Sequence, residues 1–179
     1  ERKKGEESLR ASEERFRKAI TLAPYPIMIH SEGKVLQLSK EWSNQTGYTI
    51  DDIPTIKEWT LKAYGKDAVP SQEFIENLYK IDKTQYDGEW KVKVKDGSYR
   101  IWDFSSSPIG ESENGNRMAM SMASDITERN QKQEALKQKT KELQEYYDLM
   151  IGRELKMVEL KKEVNELMRK LGNTDKYEI

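Results

Sequence analysis

The chain has 179 residues, 35% of them charged and 35% hydrophobic, which is too polar for one fully compact globule and predicts solvated helix beside a domain of ordinary size. Lys and Arg number 31 against 32 Asp and Glu, and the formal charge of -1 supplies no field that would gather nucleic acid or an anionic membrane. Cysteine is absent, which excludes disulfides, thiolate metal sites and cysteine nucleophiles and is compatible with a reducing, cytoplasmic setting. No apolar run approaches the roughly 20 residues needed to span a bilayer, so the expectation is no membrane insertion by this segment, with any anchor elsewhere in a parent chain.

Composition divides the chain into a charged helical start (1–23), a mixed domain (24–126), a charged helical end (127–171) and a short tail (172–179). In the first stretch Leu9, Ser12, Phe16, Ala19, Ile20 and Ala23 fall at three- and four-residue spacings, one narrow face of an amphipathic helix that Pro24 and Pro26 end. Residues 26–30 and 34–38, separated by Ser31-Glu32-Gly33, predict a two-strand hairpin. A short helical segment runs from Ser39 to Gly47, and 54–70 fits no single pattern. Residues 71–81 place Phe74, Ile75, Leu78 and Ile81 on one helical stripe. Strict alternation over 89–94, the Asp96-Gly97 turn pair, a run over 99–109, the turn at Asn114-Gly115 and a run over 118–123 predict three further strands. Two strands, helices, then three strands describe an α+β domain: a five-stranded antiparallel sheet with its helices on one face.

The end stretch carries the clearest period. Leu136, Leu143, Met150, Met157, Val164 and Leu171 recur every seven residues, and Tyr146, Leu160 and Leu167 lie three residues after members of that series. Lys139 and Arg153 interrupt the seam at equivalent positions, and Gly152 weakens the helix locally by roughly 1 kcal/mol relative to Ala. A helix of about 45 residues is about 68 Å long, too long to pack against a domain of about 100 residues, so it calls for a partner helix. Homodimerisation through Leu143, Met150, Met157, Leu160, Val164 and Leu167 is the expectation. Residues 1–9 also echo 128–136, with Glu, Arg, Glu and Leu matching in place, as if the chain opened in the exit helix of a similar preceding domain.

Asp125-Ile126-Thr127-Glu128-Arg129, after a strand and before a long helix, resembles the Asp-Ile-Thr exit motif of PAS domains in bacterial and archaeal sensor proteins. Residues 12–17 resemble the lead-in helix of that family, Asn44-Gln45-Thr46-Gly47-Tyr48 its Leu-Thr-Gly-Tyr segment with Gln45 in place of Leu, and 95–102 its Asp-Gly hairpin. Residues 149–161 resemble the connector behind PAS domains in multi-domain sensor histidine kinases. The resemblance implies a PAS fold and a sensory module that passes a signal through a dimeric coiled coil to an output domain, a histidine kinase, outside this chain. The alternative is a ligand-free dimerisation and spacer module.

Asp125, Ile126, Thr127 and Glu128 are the candidate transmission residues. Asp125 three residues before Glu128 fits a helix N-cap with a capping box, which fixes the angle between strand and helix. A small-molecule ligand, if held between helices and sheet, would meet some of Trp59, Tyr64, Phe74, Leu78, Trp90, Trp102 and Phe104. Met118, Met120 and Met122 share one strand face, which makes Met120 a further candidate wall. Its identity stays unknown: flavin-adduct members of the family use a cysteine, absent here, and haem-binding members an axial histidine in the helix that would span 71–81, where none occurs. The lone histidine, His30, sits in a predicted strand, where packing is the ordinary role. Carboxylates are plentiful, yet none is paired with a nucleophile, a base or a metal-ligand cluster, so no catalytic or metal residue is assigned; Asp51-Asp52 is expected to start a helix.

Overall fold

The computed structural model describes residues 2–65, 76–112 and 114–178, and the chain divides into two units, Glu1–Glu128 and Arg129–Ile179. The strand signals become β1 (Ile27–Ser31), β2 (Lys34–Leu38), β3 (Gln85–Lys93), β4 (Tyr99–Glu111) and β5 (Arg117–Asp125). They form one antiparallel sheet in the order β2-β1-β5-β4-β3. The β1–β2 turn carries positive φ at both Glu32 and Gly33, the two-residue hairpin geometry that matches strand twist.

Alternation decides which residues face the helices. Val92 on β3, Trp102, Phe104 and Ser106 on β4, and Ala119 and Ala123 on β5 are buried. On β5 this reverses the sequence expectation: the small residues Ala119 and Ala123 face the core, and Met118, Met120 and Met122 alternate onto the opposite side. The physical reason is room. Trp42, Trp59 and Trp102 fill the interior, and β5 crosses beneath them where only small side chains fit.

Between β2 and β3 lie α2 (Lys40–Thr46) and α3 (Ile56–Tyr64), both on the sheet face that holds this core. Ser39 caps α2: its Oγ accepts the Trp42 N–H at 3.1 Å and the Ile27 N–H at 2.9 Å and donates to the Tyr25 carbonyl at 2.8 Å. Gly47 ends the helix at φ 74°, and a Cβ there would come within 3.0 Å of Lys95 Cβ, so glycine is required both by conformation and by the approach of the β3–β4 hairpin. α3 starts within the unpatterned stretch on an N-cap: Thr55 Oγ1 accepts the Glu58 N–H at 3.2 Å and donates to the Glu58 carboxylate at 3.0 Å. This places Ile56, Trp59, Thr60 and Ala63 inward.

Two expectations are corrected here. Asp51-Asp52 starts no helix; it lies in a turn in which the Asp52 carboxylate accepts the Thr49 N–H at 2.9 Å and pairs with Lys95 at 2.8 Å. The helix expected over 71–81 ends at Leu78, ahead of a turn at 79–80, because Tyr79 is drawn away from a helical stripe by its hydroxyl bonds to β1 and by Arg117, which donates to its carbonyl at 3.1 Å. Residues 66–75, with Phe74 among them, lie outside the described residues.

At the start of unit 1, α1 (Arg2–Thr21) is held to β2 near its C-terminus, where Gln37 Nε2 donates to the Arg17 carbonyl at 2.8 Å and to Thr21 Oγ1 at 3.0 Å. Leu9 and Phe16 of its apolar face are exposed.

The long helix, α4 (Thr127–Lys170), runs unbroken for 44 residues, through Gly152, and supplies most of unit 2. Leu143, Met150, Met157, Leu160 and Leu167 are exposed and Val164 is half-buried. The tail turns back on the end of this helix: Asn165 Oδ1 accepts the N–H groups of Lys176 (2.9 Å) and Tyr177 (3.0 Å), its Nδ2 donates to the Tyr177 carbonyl (2.8 Å), and Arg169 makes a forked pair with Asp175. Asn165 is buried by this closure, a role no pattern in the sequence announced.

Candidate functional site

Two features of unit 1 bear on function, a cavity between helices and sheet and the junction from which α4 departs. The cavity holds about 110 Å³. Trp42 from α2, Ile56, Trp59, Thr60 and Tyr64 from α3, and Leu78 line the helical side; Met28, Phe104, Ser106 and Ser121 form the sheet floor, with Asp87 and Trp90 on β3.

The aromatic wall is fixed by mutual packing. Trp42 meets Trp59 edge-on at 4.8 Å between ring centroids and Trp102 at 5.2 Å, while Tyr64 and Trp90 lie 5.5 Å apart. Such pairs each add about 0.5–1.5 kcal/mol beyond area burial. Burial and then the negative charge of Asp87 push the Tyr64 phenol well above its ordinary range, so it remains a neutral hydroxyl.

Beneath the cavity runs a buried polar chain that sequence reasoning missed. His30 Nδ1 lies 2.7 Å from the Tyr79 hydroxyl and Nε2 lies 3.1 Å from Ser121 Oγ, which is 3.0 Å from Ser106 Oγ. Tyr79 Oη also accepts the Gly33 N–H at 2.8 Å. Burial lowers the His30 pKa to about 4, so the ring is neutral near pH 7. The two partners of His30 lie 49 and 91 residues away in sequence, so no local pattern could bring them together.

At the junction the Asp125 carboxylate accepts three bonds: from the Thr127 N–H at 2.9 Å, from the Thr127 hydroxyl, and from Arg100 Nη1. The neighbouring backbone is clamped to β4, since Ile126 N–H donates to the Ile101 carbonyl at 2.9 Å and Ile101 N–H to Thr127 Oγ1 at 2.8 Å. Asp125 therefore holds the start of α4 through residue 127, two positions on, and Arg100 is a partner the sequence did not suggest. Burial is the largest influence on this carboxyl and pushes it up, but the Thr127 and Arg100 bonds together outweigh burial and hold its pKa below the usual carboxylate range.

Of the residues expected around a ligand, Trp59, Tyr64, Leu78, Trp90 and Phe104 are brought to the cavity. Trp102 is not: it is fully buried behind Trp42 and Trp59 as core. Met120 lies on the opposite face of β5, since its neighbour Ser121 is the residue that turns to the cavity. Among the described residues no group of three or more His, Cys, Asp or Glu could hold a metal ion, and no helix is long and apolar enough to cross a membrane.

The strand order, the helices on one face and a cavity between the layers define the fold of PAS domains, and unit 1 has that fold. Among solved structures, it is similar to the PAS domain of an HTR-like protein from Haloarcula marismortui, at 18% identity and a TM-score of 0.56, covering 69% of this chain and 99% of that one. The PAS domain of Bordetella pertussis BvgS aligns at 24% identity and a TM-score of 0.53, over 76% of this chain and 98% of that one. A Rhodobacter sphaeroides LOV protein aligns at 10% identity and a TM-score of 0.51, over 63% and 66%. No family model and no curated protein matches the chain.

Proposed function

We propose that the chain is a sensory module whose cavity takes a small ligand and whose junction at residues 125–128 passes the resulting change into α4, a dimeric coiled coil leading to an output domain such as a histidine kinase. The observation that carries this reading is the clamp at Ile101. Residues 102, 104 and 106, next along the same strand, form the core and the cavity floor, so a shift of β4 caused by a ligand moves the carbonyl and N–H that hold Ile126 and Thr127. Fold likeness supports the scaffold; the signal itself has to be read from the site. The module is non-catalytic in this reading, and any catalysis belongs to the output domain.

Asp125→Ala tests transmission. Losing the cap and the Arg100 pair should lower stability by about 0.5–2 kcal/mol in urea unfolding. In a chain carrying the output domain, the ratio of signal-on to signal-off output should change while the dimer persists. An unchanged ratio, with the stability loss confirmed, would leave Asp125 a structural cap and favour the spacer reading.

Dimerisation is tested separately. Leu143, Met150, Met157, Leu160 and Leu167 are exposed on a 44-residue helix, and a helix of this kind gains its stability by pairing. Sedimentation should give a dimer for the whole chain and a monomer for a chain stopped at Arg129; equal monomeric masses would refute the pairing.

A further inference from the structure

The hydrogen bonds under the cavity have a direction. Tyr79 Oη receives the Gly33 N–H, and among the described residues His30 Nδ1 is the acceptor in reach of the phenol's own hydrogen; with that bond assigned, the single hydrogen of the neutral imidazole resides on Nε2. Nε2–H then donates to Ser121 Oγ. The Ser121 and Ser106 hydroxyls carry two hydrogens, and the 3.0 Å bond between them uses one. One serine hydrogen is left over, and both serines face the cavity. In the same wall the Trp42 indole N–H is buried without a hydrogen-bond partner. The lining therefore holds two donors lacking acceptors, each costly to leave unmet away from water.

Charge narrows the occupant further. Among the described lining residues the only ionised side chain is Asp87, and Asp87 Oδ1 already accepts Gln85 Nε2–H at 2.9 Å. Among the described lining residues no cation stands ready for an anion, and the apolar walls penalise any unpaired charge. The volume of about 110 Å³ is somewhat below the about 150 Å³ of a cavity that admits benzene, which limits the occupant to a single ring.

We propose that the cavity takes an uncharged compound with one aromatic ring and a hydrogen-bond acceptor, of the aryl carbonyl class, its ring against Trp42, Trp59 and Phe104 and its acceptor on the Ser106–Ser121 pair. This rests on the reading of the cavity as the sensory site. The test uses the whole chain and two probes of equal shape, acetophenone and α-methylstyrene, which differ in C=O against C=CH2. Binding is followed by NMR at the Met28 methyl and the Trp42 indole N–H. Both probes should shift the Met28 methyl and, through the ring they share, the Trp42 N–H, and acetophenone should bind the more tightly of the two. Ser106→Ala should weaken acetophenone by about 2- to 10-fold and leave α-methylstyrene within about twofold, as expected for one lost hydrogen bond. Should Ser106→Ala not fold, Ser121→Ala makes the same comparison. Equal changes for both probes, or tighter binding of benzylammonium than of acetophenone, would overturn the acceptor chemistry while leaving a ligand cavity in place. No shift at Met28 with either probe would overturn the ligand reading and this proposal together.

Discussion

Truncating Trp42 to alanine is expected to cost about 3–5 kcal/mol, the range for removing a buried large aromatic side chain. Trp42 has no exposed surface, packs edge-on against Trp59, Trp102 and Phe104, and forms part of the cavity wall, so its loss removes three aromatic contacts and joins a new void to an existing one. The surrounding rings cannot collapse inward easily, because Trp59 is anchored on α3 and Trp102 on β4, an interior strand paired on both sides. Against a total of about 5–15 kcal/mol for an ordinary domain, the variant should stay folded but with its urea midpoint sharply lowered and its m-value unchanged. Trp42→Phe, which keeps a ring, should lose markedly less. A cost under about 1 kcal/mol for the alanine variant would show that the indole cluster does not hold the helices to the sheet.

How much of this was legible in the sequence depends on how local each cause is. The strands were readable because alternation over 89–94, the Asp96-Gly97 turn and the Ser31-Glu32-Gly33 turn are nearest-neighbour effects. α2 was marked by Ser39 and Gly47, and the heptads of α4 by repetition. α3 was missed although Thr55 and Glu58 spell a capping box, since Trp59, Leu61 and Tyr64 around it mix buried and exposed positions and blur the helical period. The β5 face was read the wrong way round because methionine was weighed by type as a candidate ligand wall. The pattern itself is symmetrical, and only the bulk of Trp42, Trp59 and Trp102 across the sheet decides that Ala119 and Ala123 turn inward.

The site was legible in part for the same reason. Aromatic residues near the helical face could be collected by composition, and four of them, with Leu78, meet at the cavity. The separation of Trp102 from that set follows from packing depth, which sequence spacing does not encode. Asp125 announced itself through the helix start, but Arg100 reaches it across a strand pair 25 residues apart. His30 was set aside as an ordinary strand histidine. Its environment makes it the most sharply defined polar group of the core, because both ring nitrogens are engaged and the ring is buried.

That environment gives a pH dependence belonging to one side chain. His30 is the only histidine, and its pKa falls from 6.5 when free to about 4 in the folded chain because burial disfavours the charged ring. Above pH 6.5 the ring is neutral in both states, and the folded state carries no penalty. As the pH falls through 6.5 the unfolded chain takes up a proton that the folded chain refuses, so stability drops until the pH reaches about 4, where both states are protonated. Between pH 7.5 and pH 5 the loss should be about 2 kcal/mol. The carboxylates held low in the fold, Asp52, Asp96 and Asp125, contribute with the same sign but only nearer their unfolded pKa of 3.8, so the upper part of the window is free of them. Urea unfolding followed by tryptophan emission, at fixed protein concentration, should show this slope in the natural chain and lose it in His30→Gln, whatever the variant's own starting stability. If His30→Gln fails to fold, an NMR titration of the natural chain gives the same answer, with ring resonances that stay unshifted from pH 7.5 down to pH 5. An equal pH slope in both chains, or a His30 ring that titrates near 6.5, would mean that the ring is open to water and that the Tyr79–His30–Ser121 chain does not persist in solution.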